Sequence, residues 1–413
     1  MKKLLLLSAA TSAVLMAGGT ISPAEPVVEP VVVDSGWDFS GQTVFYYQTS
    51  DKKGASSLFK QQSSLEDFGI QLRAVNKDLF AGIGAGVELS GLSGLKLTNW
   101  MVSNTMQGRD SWISQMYLTY GVGNTTFKLG RQELPKALSP FAFSEGWNVF
   151  KNTFDAALVV NTDLPDTTLV GAWVAGSNHN GIGAGTNDMT RFASVNDSDG
   201  IYMLTLQNKS IDGLALTGTY YYAPSYVGTD DAHILWGDAK FKVGDYSVAA
   251  QLGTVMSDGF TNDTFAWGLK AGGNFGMFDA SIAYSSVDDG DQGLFNVGGV
   301  KTPLYTQMIL NQDAIRTDSD TFVVRAGVKA LGGKFGFAYG YSDMNDAVRG
   351  KLVDGKSGGA GTYNEVDLTY KTKVFNDSTT LFAGYIYQNR SYDEAGKKDW
   401  SNNVVRFWAR YNF

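Results

Sequence analysis

Two histidines and no cysteine among 413 residues leave little room for nucleophilic or zinc chemistry. A Cys/His zinc set cannot be assembled, and neither His179 nor His233 has an evident Ser or acidic partner for a triad, so no enzyme is expected. Gly82-Ile-Gly-Ala-Gly and Gly181-Ile-Gly-Ala-Gly resemble nucleotide loops, but neither opens a helix. Asp288, Asp289 and Asp291, with Asp197 and Asp199, could hold calcium through carboxylates. A solvated acidic loop is the plainer reading, and no cofactor is expected. What remains is a set of charges at alternate positions along apolar runs: Arg73, Lys128, Asp155, Arg325, Arg406 and Arg410. Charges so placed do electrostatic work, solvating and sorting ions along a polar wall.

Such a wall needs strands, because only a period of two puts charge on one face and apolar groups on the other. The last thirteen residues show the pattern most clearly. Val405, Phe407, Ala409, Tyr411 and Phe413 share one face; Arg406, Trp408, Arg410 and Asn412 share the other. Similar alternation starts at Trp37, where Phe39, Gly41, Thr43, Phe45 and Tyr47 oppose Asp38, Ser40, Gln42 and Gln48. It recurs in about eighteen runs, or about sixteen if two ambiguous runs are discounted, of roughly 8 to 12 residues each, the length of a tilted membrane-crossing strand. Tight reversals, among them Asn76 to Asp78, Gly121 to Asn124, Gly272 to Asn274 and Ala330 to Gly333, alternate with long polar connections. The expected fold is therefore all-β: a transmembrane antiparallel β-barrel with periplasmic termini, short turns on that side and long loops outside.

Composition agrees. Glycine (49) and aromatics (13%) are abundant, while a mean hydropathy slightly below zero argues against a bundle of membrane helices. A barrel tolerates that average because only alternate residues meet lipid. Residues 1–19 read as a secretory signal, with Lys2 and Lys3 ahead of an apolar core; cleavage after Ala24 is the alternative. Residues 20–35 read as an extended periplasmic lead-in and 36–413 as the barrel domain. Loss of the leader makes the formal charge of −8 two units more negative, a poor balance for binding nucleic acid.

The third long connection, Glu133 to Lys151, is too apolar for an exposed loop: Leu134, Leu138, Phe141, Phe143, Trp147, Val149 and Phe150 need a surface to pack on. Folding inward would satisfy them, with Gly82, Gly84 and Gly86 as a bare-backbone bed. The loop would then narrow the lumen and present Glu133, Lys136 and Glu145 to a passing solute, with Phe141 among its packing residues. Phe407, Tyr411 and Phe413 are expected to serve as the membrane-insertion signal for the barrel-assembly machinery.

Lys128-Leu-Gly-Arg-Gln-Glu-Leu-Pro, Glu145-Gly-Trp-Asn-Val-Phe-Lys-Asn-Thr-Phe, Asp163-Leu-Pro-Asp-Thr-Thr-Leu-Val-Gly-Ala and Lys301-Thr-Pro-Leu-Tyr-Thr-Gln-Met-Ile-Leu resemble the major outer-membrane porins of Campylobacter and its relatives. The resemblance is most specific between Phe127 and Val174. It implies an eighteen-stranded homotrimer in the outer membrane, passing small hydrophilic solutes and ions. Family members are described as favouring cations and carrying calcium, but no ligand residue can be matched here. The leading expectation is passive diffusion through a water-filled barrel. A substrate-selective channel for a small charged nutrient, and a surface adhesin or antigen that the barrel only anchors, stay open beside it.

Overall fold

The computed structural model describes residues 36–51, 56–95, 97, 100–181, 189–345, 359–393 and 396–413. The expected leader (1–19) and lead-in (20–35) lie outside the described residues.

Among the described residues twenty strands form one sheet. They are β1 (Asp38–Ser50), β2 (Ser64–Phe80), β3 (Ile83–Ser93), β4 (Asn104–Thr105), β5 (Asp110–Val122), β6 (Thr125–Gln132), β7 (Phe154–Asn161), β8 (Thr167–Ser177), β9 (Ala193–Ser194) and β10 (Ile201–Asn208). There follow β11 (Leu214–Val227), β12 (Asp230–Val243), β13 (Tyr246–Ser257), β14 (Thr264–Phe275), β15 (Phe278–Val287), β16 (Ser319–Ala330), β17 (Gly333–Met344), β18 (Gly361–Val374), β19 (Thr379–Tyr392) and β20 (Trp400–Asn412). Strands β4 and β9 are two-residue additions. The other eighteen pair antiparallel with their neighbours in chain order, and β1 pairs with β20 from Gln42↔Asn412 to Ser50↔Val404. The sheet is thus a closed barrel, which leaves no long edge to aggregate.

Each strand puts its apolar alternates outside. Phe39 is 79% exposed, and Leu72, Leu118, Leu129, Leu204, Leu252 and Leu269 stand out from the same surface. Burial marks the inner face instead: Val44 and Tyr46 in β1, Gln71 in β2, Glu88 in β3, Arg325 in β16 and Arg406 in β20. An ionised side chain at mid-bilayer on the outer face would cost about 2–4 kcal/mol, which explains the segregation.

At the end holding both strand termini, eight tight turns join the hairpins. The first of them, after β2, is Ala81-Gly82 with φ of 51° and 79°. Gly82 is therefore a turn residue rather than part of an inner-face bed; its positive φ suits a residue without a Cβ. The expected reversal at Gly272 to Asn274 is displaced: both glycines sit in the β14 ladder, and the chain turns at Gly276-Met277, where Gly276 has φ 69°. At the opposite end most connections are long; a two-residue reversal at Gly228-Thr229 between β11 and β12 and the short connection 258–263 between β13 and β14 are exceptions.

Candidate functional site

The connection between β6 and β7, residues 133–153, lies against inner-face residues on both sides of the barrel. Its first arm reaches β11 and β12: the Phe141 ring packs edge-on against Tyr221 and Trp236, at centroid distances of 5.8 and 5.2 Å, and its N–H donates to Tyr221 Oη at 3.1 Å. Its second arm reaches β20, β1 and β2. There Val149 and Phe150 join Val44, Tyr46, Leu92, Met106 and Trp112 in one buried cluster, and the Arg410 guanidinium donates to Val149 O at 2.9 Å. Glycine does supply a bed, but it is Gly69 of β2. A Cβ there would stand 2.5 Å from the Phe150 ring, whereas the space above Gly86 is filled by Tyr117 of the neighbouring strand. The apolar composition that marked this loop is thereby accounted for.

A second connection, residues 288–318 between β15 and β16, runs along the inner wall from β12 to β19. Tyr305 Oη donates to Asp238 at 2.5 Å and its N–H to Gln251 at 3.0 Å. Thr306 bonds Ser285 at 2.5 Å, Met308 packs with Val323 and Ala338, and Leu310 N donates to Glu365 at 2.8 Å. Burial and the Asp238 charge hold the Tyr305 phenol well above its ordinary range. The expectation that long polar connections lie outside fails for this segment, which lies against the inner wall. Its polar residues bond the polar wall while Leu294, Leu304 and Ile315 are buried in the same cluster as Phe141, an apolar signal diluted by the acidic and glycine-rich residues around it.

The two connections meet inside the barrel through Glu145. Its Oε1 accepts from Asn296 Nδ2 (2.8 Å), Val300 N (2.9 Å) and Lys301 N (2.7 Å), and its Oε2 accepts from Trp147 Nε1 (2.8 Å). Glu145 is 2% exposed, so it does not face a passing solute as expected; the four donors hold it as a bolt between the loops. Phe141, at 4% exposure, is likewise an anchor rather than a lining group. Buried asparagines complete the junction. Asn296 Oδ1 accepts from Phe143 N at 2.7 Å, Asn152 Oδ1 from Glu145 N at 2.8 Å, and Asn180 Nδ2 donates to Glu145 O at 2.9 Å. These amides satisfy backbone that has no ladder of its own.

Lys136 and Lys301 pin the same junction. Lys136 Nζ donates to Thr302 O at 3.0 Å; Lys301 Nζ donates to Met308 O at 2.9 Å and Ile309 O at 2.5 Å, and lies 4.7 Å from the Trp147 ring centroid. Burial pushes both ammonium groups down to about 8, against the opposing pull of Glu145.

Glu133 is the loop carboxylate left half-exposed. Its Oε2 is 2.5 Å from Lys151 Nζ and its Oε1 is 3.9 Å from Arg73 Nη2. Lys128 of β6 and Arg410 of β20 stand on the same inner wall. Arg73 is also paired with Glu88 at 3.0 Å, and Lys128 sits over the Tyr117 ring at 3.8 Å. Sequence reasoning named four of these five groups but missed Lys151, which closes the loop and so looked like a flank. The Glu133–Lys151 contact, eighteen residues apart, exists only because the loop folds back on its own base.

The remaining wall residues divide. Arg406 and Arg410 stand on the inner face of β20, and Arg406 donates to Gln48. Arg325 is inner but 4% exposed, its Nη2 donating to Gln307 O at 2.9 Å beneath residues 288–318. Asp155 is not on the lumen face. It opposes Arg131 in the ladder, Arg131 opposes the outward Met116, and the two ions pair at 2.8 Å. The alternation in β7 is carried by residues of similar polarity on both faces, so parity could not be read from sequence there. Phe407 and Tyr411 are on the exposed outer face, and Phe413 completes the seam through two backbone bonds with Gly41.

Of the acidic set, Asp288 Oδ1 accepts from Phe265 N at 2.8 Å and Asp291 Oδ2 from Thr261 N at 2.6 Å, capping loop backbone. Burial pushes the Asp288 carboxyl up. Among the described residues no group of three or more His, Asp or Glu side chains gathers as a metal shell. His233 bonds Tyr220 Oη at 2.7 Å on the outer surface.

No family model and no curated protein matches this chain. Solved structures do. The outer membrane protein OpdK of Pseudomonas aeruginosa superposes with a TM-score of 0.68 at 14% identity, covering 91% of this chain and 99% of that one. OccD3 (OpdP) of the same organism gives 0.68 at 15%, covering 92% of each chain. OpdO gives 0.69 at 15%, covering 92% of this chain and 98% of that one. At these identities the likeness is one of fold.

Proposed function

We propose that this protein is an outer-membrane porin, a water-filled channel through which small hydrophilic solutes and ions diffuse passively. The observation that carries this is the pairing of an apolar outer belt with a closed interior holding the half-exposed ions Arg73, Glu133 and Lys151, with Lys128 and Arg410 on the same inner wall. Ions at that density inside a membrane barrel are tolerable only with water beside them. Residues 133–153 and 288–318 narrow the lumen, and the charges beside Glu133 set ion preference. The tight turns and both termini face the periplasm and the long connections face outward. Assembly by the barrel-assembly machinery, association as a homotrimer and kinship with the Campylobacter-type major porins belong to the same proposal, on the motifs between Phe127 and Val174.

Reconstitution into planar bilayers under a salt gradient tests it. Stepwise conductance is the expected result, and deletion of Phe141 to Glu145 raises the single-channel value; an electrically silent preparation would leave only an anchoring barrel. A substrate-selective channel for a small anion is the second reading, favoured by four cations around one carboxylate. Saturable block by one solute would favour it over general diffusion.

A further inference from the structure

Glu133 is placed as the resident of a cationic site. It follows β6 directly, so its backbone is fixed by the barrel rather than by the loop's own folding. Its carboxylate touches Lys151 Nζ at 2.5 Å and reaches towards Arg73 at 3.9 Å, with Lys128 and Arg410 on the same inner wall. Other acceptors take part of this charge: Glu88 holds Arg73 at 3.0 Å, and Gln42 and Val149 O take the Arg410 guanidinium at 2.7 and 2.9 Å. Lys128 Nζ lies over the Tyr117 ring, and Lys151 pairs with Glu133 itself. The side chains of Arg73, Glu133 and Lys151 are 38, 31 and 45% exposed, so water and small ions reach them.

Resting on the channel reading, we infer that Glu133 is a tethered competitor: its carboxylate occupies the anion site formed by Lys151, Arg73 and Lys128, and sets how strongly the channel favours anions. A mobile anion reaching this level must displace the carboxylate from Lys151 or share the cations with it. The tether keeps the local concentration of the competing carboxylate high, which weakens retention of any free anion and lets it leave again. Because the groups are half-exposed and the pair is screened, removing the competitor has a bounded effect, an about 2- to 5-fold change.

The test compares wild type, Glu133→Gln and Lys151→Met in planar bilayers under a potassium chloride gradient, with sodium acetate added as the probe anion. Glu133→Gln is expected to raise the anion-to-cation permeability ratio about 2- to 5-fold and to make chloride current more sensitive to acetate. Lys151→Met is expected to move the ratio the other way, because it removes a cation and releases the Glu133 carboxylate towards Arg73 and Lys128. If Glu133→Gln conducts with an unchanged or lowered ratio, the competitor role is wrong while the channel reading survives. Should Glu133→Gln fail to insert, an unchanged ratio in Lys151→Met overturns the role by itself. A wild-type protein without conductance overturns the channel reading, and this inference with it.

Discussion

Arg406 and Gln48 face one another across the seam where the barrel closes, the guanidinium donating to Gln48 Oε1 through Nε at 3.0 Å and Nη2 at 2.7 Å. The same guanidinium carbon lies 5.1 Å from the Trp147 ring centroid and 5.6 Å from that of Tyr46. The last strand, the first strand and the inward loop therefore converge on one buried cation.

That convergence makes Arg406→Met informative. It removes two charge-assisted hydrogen bonds and two ring contacts, and leaves Gln48 without its donor. The expected loss is about 2–3 kcal/mol of barrel stability. It should appear as a lower unfolding temperature of the detergent-solubilised barrel, followed by heat-modifiable gel mobility. An unaltered transition would mean that water replaces the guanidinium at no cost.

At the other end of the same seam, Phe413 and Gly41 exchange backbone hydrogen bonds at 2.8 and 3.0 Å. A Cβ on Gly41 would stand 2.6 Å from the Phe413 ring and 2.5 Å from Gln71 O of β2. Gly41→Val should thus lower the amount of assembled barrel, as should deletion of Phe413, since both disturb closure. Channels that do assemble should keep the wild-type conductance, because Gly41 and the Phe413 ring share the outer face with Phe39, whereas Gln42 and Arg410 stand on the inner one. A changed unitary conductance in either variant would contradict that separation.

Glu145→Ala should loosen the junction without opening the barrel. Four donors lose their acceptor, two of them backbone N–H groups of residues 300 and 301. Each charge-assisted bond contributes about 1.5–3 kcal/mol, enough together to free the meeting of the two loops. Single-channel records should then show noisier, multiple open levels with a higher mean, while the heat-modifiable shift stays as in wild type. Quiet, wild-type records would mean that the asparagines hold the junction alone.

Much of this architecture is legible in the sequence because its physics is local. Alternation along β20 (Val405, Phe407, Tyr411 against Arg406, Arg410) fixes strand, face and seam together, and the apolar run from Leu134 to Phe150 announces a loop that must find cover. What escapes is relational. Glu145 looks like a lining carboxylate until Val300 and Lys301 are brought to it from over 150 residues away. Residues 288–318 look solvated because Leu294, Leu304 and Ile315, which are buried, are spaced among polar residues whose partners, Asp238, Glu365 and Gln251, are polar too. Asp155 misleads for a different reason: Ala156, Ala157, Leu158, Val159 and Val160 follow it without alternation, so nothing local says which way it points.

Ion preference should depend on pH through Lys136 and Lys301, whose ammonium groups burial lowers to about 8. Both are charged below that value and lose charge as pH rises through it, so between pH of about 7 and about 9 the junction sheds up to two positive charges. The anion-to-cation permeability ratio should fall over that interval, read as a shift in reversal potential under a fixed salt gradient. Stability moves the opposite way. The unfolded chain keeps its lysines protonated up to about 10.4, so between the two values it binds more protons than the folded barrel and stability rises with pH. Lys136→Met and Lys301→Met should each flatten part of the selectivity change, and the double variant should flatten it further. A pH dependence undiminished in the double variant would assign all of it to other groups.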